Sequence, residues 1–105
     1  MIRHCVFLNL RADHDVGQLA ATFSGLANLC ARLTRASGFV AGPNRDFESK
    51  SQDFDTGFTI DFVDAPALET YAKDPEHQAL GAQLVAQCVG GADGIIVFDL
   101  EVPDT

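Results

Sequence analysis

The sequence predicts a ferredoxin-like α+β domain, β-α-β-β-α-β, with a four-stranded antiparallel sheet and the helices on one face. Three features predict it. Residues 2–10, 54–62 and 94–102 read as strands, the first largely apolar in both phases. An apolar stripe of helical spacing follows the first of them. A second helical stretch, punctuated by Asp74-Pro75, precedes the last. With right-handed crossovers this order closes most simply as the ferredoxin-like arrangement, in which the first strand is central.

Each element has a local cause. Ile2, His4, Val6, Leu8 and Leu10 form one phase of the first strand, against Arg3, Cys5, Phe7 and Asn9. Asp15 can cap the next helix while Gln18 reaches back from its third position. Val16, Leu19, Ala20, Phe23, Ala27, Cys30 and Leu33 carry the apolar stripe to about Thr34. Gly17 and Gly25 weaken this helix by ~1 kcal/mol each. Residues 38–42 start a second strand, Pro43-Asn44 interrupts it, and the polar run 45–53 is a loop. In the third strand Gly57 signals a bulge or a close backbone approach. A short helix then runs through Leu68 and Tyr71. Asp74 caps another, with Pro75 first and His77 third in it, because proline has no N–H to satisfy there. Gly90-Gly91 ends that helix, and Pro103 stops the final strand.

Composition bounds the function. A chain of 105 residues is one domain, 1–105, and 47 % hydrophobic content with eight Phe is that of a globular protein. A net charge of −8 with seven unclustered Lys and Arg argues against nucleic acid and against an anionic membrane surface. The opening MIRHCVFLNL is too short and too interrupted for a signal peptide, and no apolar run approaches the roughly 20 residues that span a bilayer. Cys5, Cys30 and Cys88 are odd in number and widely spaced, so a cytoplasmic location is expected and neither a disulfide framework nor a zinc site is. The scattered acidic residues give no metal cluster, and neither GxGxxG nor a P-loop is present, so no cofactor is expected. The Phe-rich strands cannot leave the second face of the sheet in water. A second copy of the sheet is the expected cover, giving a homodimer in which two sheets form a barrel.

The chemistry-bearing residues are few. The stretch YAKDPEHQAL holds the one tyrosine, Tyr71, and one of three histidines, His77. His77 sits at the positive end of a helix dipole, which disfavours the imidazolium. His4 occupies an apolar-phased position of the central strand, so His4, Tyr71 and His77 are expected to converge between sheet and second helix as an acid–base set. Val6, Leu8, Phe23, Thr56 and Phe58 are the expected lining of the adjoining pocket. Each has a plainer reading: His4 as a satisfied core histidine, Tyr71 as an amphipathic ring at the core edge, His77 as a helix-start residue. His14, in the polar turn ADHDV, is expected to be solvated.

In order and spacing, IRHCVFLNLR, SGFVAGPN, FDTGFTIDF, YAKDPEH and IIVFDLEV resemble the Dabb family of stress-responsive dimeric α/β-barrel proteins. The resemblance spans nearly the whole chain. It implies a sheet-to-sheet homodimer with a mostly apolar pocket in each protomer. Some relatives, plant polyketide cyclases among them, use a Tyr and a His of the Tyr-x-x-x-Pro-x-His block for a cofactor-free aldol closure. Those positions here are Tyr71 and His77, with His4 lining the pocket. One departure is Thr56, where many relatives carry a histidine.

The reading is therefore a small cofactor-independent cyclase, lyase or isomerase acting on a carbonyl-containing, partly apolar molecule. The alternative is a non-catalytic stress-related ligand binder or assembly module. A dimeric-barrel monooxygenase is the weakest reading, given the absence of Trp and of a haem-ligand context.

Overall fold

The computed structural model describes residues 1–104. Strands β1 (Ile2–Leu8), β2 (Ala36–Pro43), β3 (Thr56–Phe62) and β4 (Ile95–Glu101) form one antiparallel sheet in the order β2-β3-β1-β4. Helix α1 (Val16–Arg32) joins β1 to β2, and α2 (Ala65–Lys73) with α3 (Pro75–Gln87) joins β3 to β4 through a 3-10 turn at Gly91–Gly94. The topology is the predicted ferredoxin-like one, with β1 central and the second helical stretch divided at Asp74-Pro75.

Local interactions fix the boundaries. Asp15 caps α1 by accepting from the Gln18 N–H at 3.0 Å. The other half of the expected capping box is not made. Gln87, buried at the end of α3, accepts from the Asp15 N–H at 3.0 Å and donates to the Asp15 carbonyl at 3.2 Å. A long-range contact thus replaces a local one. Asp74 closes one helix and opens the next: its N–H donates to the Tyr71 carbonyl, and its carboxylate accepts from the N–H groups of Glu76 and His77.

The two glycine questions in the strands have different answers. Gly57 marks a close approach, since a Cβ there would stand 2.7 Å from the Phe7 ring and 2.8 Å from the Val6 carbonyl oxygen. The bulge lies in β2, where the register slips between Ser37 and Val40 and Gly38 takes a φ of +70°.

The two sheet faces differ. On the helix side Leu8, Leu26, Leu29, Ile60, Phe62 and Tyr71 are each at most 1 % exposed. The opposite face carries Phe7, Val40, Ile96, Phe98 and Leu100, and Phe98 is 53 % exposed. Strand β4 is open on both faces from Ile96 to Glu101, because the helices lie over the other strands. Cys5, Cys30 and Cys88 are free thiols, all buried, and burial raises the pKa of each. Among the described residues no helix is long and apolar enough to cross a membrane.

Candidate functional site

Three elements bring His4, Tyr71 and His77 together. His4 points to the helix side of β1, opposite Ile60 of β3. Tyr71 comes from the last turns of α2, and the cap at Asp74 folds the first turn of α3 back so that His77 meets it. The rings of Tyr71 and His77 lie 4.2 Å apart between centroids, and those of His4 and Tyr71 lie 5.9 Å apart, edge to face. Phe62 closes the group, 5.0 Å from Tyr71 and 6.1 Å from His4.

The environments of phenol and imidazole push them in opposite directions. Tyr71 is 1 % exposed, and burial, aided by nearby Cys30, raises its pKa well above the ordinary phenol value. It therefore stays protonated as a donor, yet its hydroxyl has no hydrogen-bond partner among the described residues. Burial holds the pKa of His77 below its ordinary 6.5, assisted by His4 and opposed by a hydrogen bond to the Ala72 carbonyl and by Asp74. The ring is neutral at pH 7. Its Nδ1–H donates to Ala72 O at 3.2 Å, which leaves Nε2 as an acceptor. A protonated phenol beside a neutral imidazole is an arrangement suited to acid–base chemistry.

His4 has a partner that the sequence did not reveal. Its Nδ1 lies 2.6 Å from Asp99 Oδ1, across the β1–β4 pairing. Asp99 is in phase with Val97 on β4. Its contact with His4 depends on the register of strands 95 residues apart, which no local signal carries.

The expected pocket lining divides. Val6 and Phe58 are register partners near the cluster, and Phe23 packs edge to face on Phe58 at 5.8 Å. Leu8 and Thr56 pair at the far end of β1, about 13 Å along the strand from His4. Thr56 also commits its hydroxyl to the Gly42 carbonyl at 3.0 Å. The sequence reading expected an apolar pocket between sheet and helices. There the rings of Tyr71 and Phe62 and the leucines of α1 occupy the space. A cleft of about 460 Å³ lies on the opposite face, beside Phe7, Phe54, Ile96 and Phe98. The cluster meets solvent at its histidine edges: the His4 side chain is 12 % exposed and His77 is half-buried. Among the described residues no three His, Cys, Asp or Glu converge as metal ligands.

A family model for the stress-responsive A/B barrel domain, Dabb, matches residues 2–102. The chain belongs to this family. A dimeric ferredoxin-like protein of unknown function from Jannaschia sp. CCS1 is 42 % identical, with 96 % of the Dabb chain and 98 % of that chain covered and a TM-score of 0.91. Hydroxynitrile lyase from Passiflora edulis shares the fold at 14 % identity, with 99 % and 94 % covered and a TM-score of 0.81. An antibiotic biosynthesis monooxygenase shares it at 9 % identity, with 99 % and 100 % covered and a TM-score of 0.77. A comparison with curated proteins found no match.

The lowered pKa of His77 sets a pH dependence. Between about 6.5 and its folded-state value the unfolded chain binds a proton that the folded chain does not, so stability falls as pH drops through that window and is level above it. Urea unfolding of wild type and His77→Gln from pH 7.5 to 5 should show wild type losing stability relative to the variant. A gap that instead grows in favour of wild type contradicts the assignment.

Proposed function

We propose that this Dabb protein is a cofactor-independent enzyme that makes or breaks a bond beside a carbonyl group, as a lyase or isomerase of a small, partly apolar molecule. The supporting observation is the contact of Tyr71 with His77, a phenol kept protonated beside an imidazole kept neutral. In the reaction a flanking imidazole, His77 by the sequence reading, accepts the proton whose loss feeds electrons toward the carbonyl. The Tyr71 O–H then donates to the developing oxyanion. A positioned base of this kind contributes ~10²–10⁴-fold. The filled space around Tyr71 favours a small substrate over an extended chain, which ranks lyase and isomerase chemistry above cyclisation.

A second reading, a non-catalytic binding protein, is favoured by that same packing and by the engagement of Thr56 with Gly42. The monooxygenase reading has only a likeness of fold. A panel of cyanohydrins and β-hydroxy ketones separates the first two. The enzyme should release aldehyde or ketone faster than buffer, and Tyr71→Phe should lower kcat at least ~10-fold. Carbonyl release at the buffer rate across the panel would favour the binding protein.

The protein acts, on this account, as a homodimer joined through the open sheet face. Phe7 and Phe98 pack 6.2 Å apart there beside Ile96, Leu100 and Val40, and the Arg3–Asp61 ion pair lies at the margin of this apolar surface. A continuous patch of this kind needs a cover, and the Jannaschia relative is described as dimeric. Sedimentation equilibrium should give a dimer for wild type and a monomer for Phe98→Asp. Equal masses for the two proteins would place the interface elsewhere.

A further inference from the structure

We propose that His4, not His77, is the catalytic base, and that Asp99 is the positioning residue that makes it one. The proposal rests on the acid–base reading above and assigns roles within that site. His4 and Asp99 face each other across the β1–β4 ladder, with Nδ1 and Oδ1 2.6 Å apart. An ionised carboxylate accepts from Nδ1–H, so that contact fixes the tautomer and leaves the Nε2 lone pair free. Phe62 and Tyr71 hold the same ring edge to face, at 6.1 and 5.9 Å. Imidazole rotation is thereby restrained by three neighbours.

The charges around the two histidines differ. Arg3 pairs with Asp61, Arg32 with Asp74 and Glu76, Arg35 with Asp64, and Lys73 with Glu69. Among the described residues no Lys or Arg pairs with Asp99, whose ion-pair contact is with His4. A proton arriving at His4 Nε2 therefore meets a carboxylate that is not already neutralised by a lysine or arginine. His77 has no such compensation at Nδ1, where a neutral carbonyl accepts, and it stands at a helix N-terminus. His4 thus has a carboxylate at the nitrogen opposite its free one, and His77 does not.

Access points the same way. Val97 and Asp99, which flank His4 on the helix side of β4, are 46 % and 43 % exposed. A small molecule lying against bare β4 reaches the His4 edge from solvent, and its contact with the buried Tyr71 O–H requires the ring cluster to part. There the C–H or O–H beside the carbonyl gives its proton to His4 Nε2. The electron pair moves to the carbonyl oxygen, or forms the carbonyl as a C–C bond breaks, and Tyr71 O–H supports the oxygen. His4 later returns the proton to the product or leaving group, while Asp99 holds the ring through Nδ1.

Asp99→Asn tests this, with Asp99→Glu as the conservative partner. Long-range ¹H–¹⁵N spectra at pH 7.5 should show His4 protonated at Nδ1 in wild type and in Asp99→Glu. In Asp99→Asn it should be a mixture of tautomers, because the amide can donate as well as accept. With a carbonyl-releasing substrate from the panel, Asp99→Asn should lower kcat at least ~10-fold with KM changed less than twofold, and Asp99→Glu should recover part of the loss. An unchanged His4 tautomer in a folded Asp99→Asn protein overturns the positioning role, whether or not turnover is found. Turnover that survives in Asp99→Asn and His4→Phe but is lost in His77→Phe returns the base to His77. If wild type turns over nothing, the catalytic role of His4 fails with the enzymatic reading, while the tautomer result still decides what Asp99 does to His4.

Discussion

The burial of one ring organises this protein. Tyr71 is the largest fully buried side chain, and it sits where β1, β3, α2 and α3 meet, touching His4, Phe62 and His77. It reaches that place because the helical connection breaks three residues after it, at Asp74. Asp74 caps both sides of the break and is tied to α1 through an Arg32–Asp74 ion pair of 3.1 Å. One aspartate and one proline therefore set the angle at which α3 returns, and with it the contact between a phenol and an imidazole. The aromatic body of Tyr71 stabilises the core through its area and its edge contacts. Its hydroxyl is buried and without a partner, a condition that costs about 1–3 kcal/mol. Burial at such cost is expected where function, not stability, has set the residue.

The strand at the other side of the site shows the complementary constraint. The helices cover β1 and β3 and leave β4 bare, so β4 offers two exposed faces of different character. Ile96, Phe98 and Leu100 extend the apolar face opposite the helices, while Val97 and Asp99 line the edge beside His4. On the present account the first set joins two subunits and the second admits a ligand. The alternation of a single strand would then link dimer formation to site geometry, because any shift of β4 that disturbs Phe98 also moves its neighbour Asp99 against His4.

Much of this was legible in the residues, and the parts that were not share a cause. Asp74-Pro75, the stripe of α1 and the alternation of β1 are local signals, and they fixed the element order, the helix break and the meeting of His4, Tyr71 and His77. Three features depended on long-range register. Gln87 took the place of Gln18 at the α1 cap because the end of α3 arrives there in space, 72 positions away in sequence. The bulge fell at Gly38 because β2 must keep pairing with β3, whereas Gly57 was required by the Phe7 ring. Asp99 became the partner of His4 only through the β1–β4 ladder. The filled interior is a matter of side-chain packing, which spacing does not encode: Leu8 and Thr56 had the right phase for a pocket wall but lie at the wrong end of the strand.

The most direct test of the central claim is the stability of Tyr71→Phe against wild type, both as dimers, by urea unfolding at pH 7.5. The ring contacts are kept and only the hydroxyl is lost. If that hydroxyl has no structural partner, the variant should be as stable as wild type or more so. A loss of about 1 kcal/mol or more would mean that the hydroxyl makes a stabilising hydrogen bond in the folded protein, and Tyr71 would then be a structural residue, not one held for chemistry.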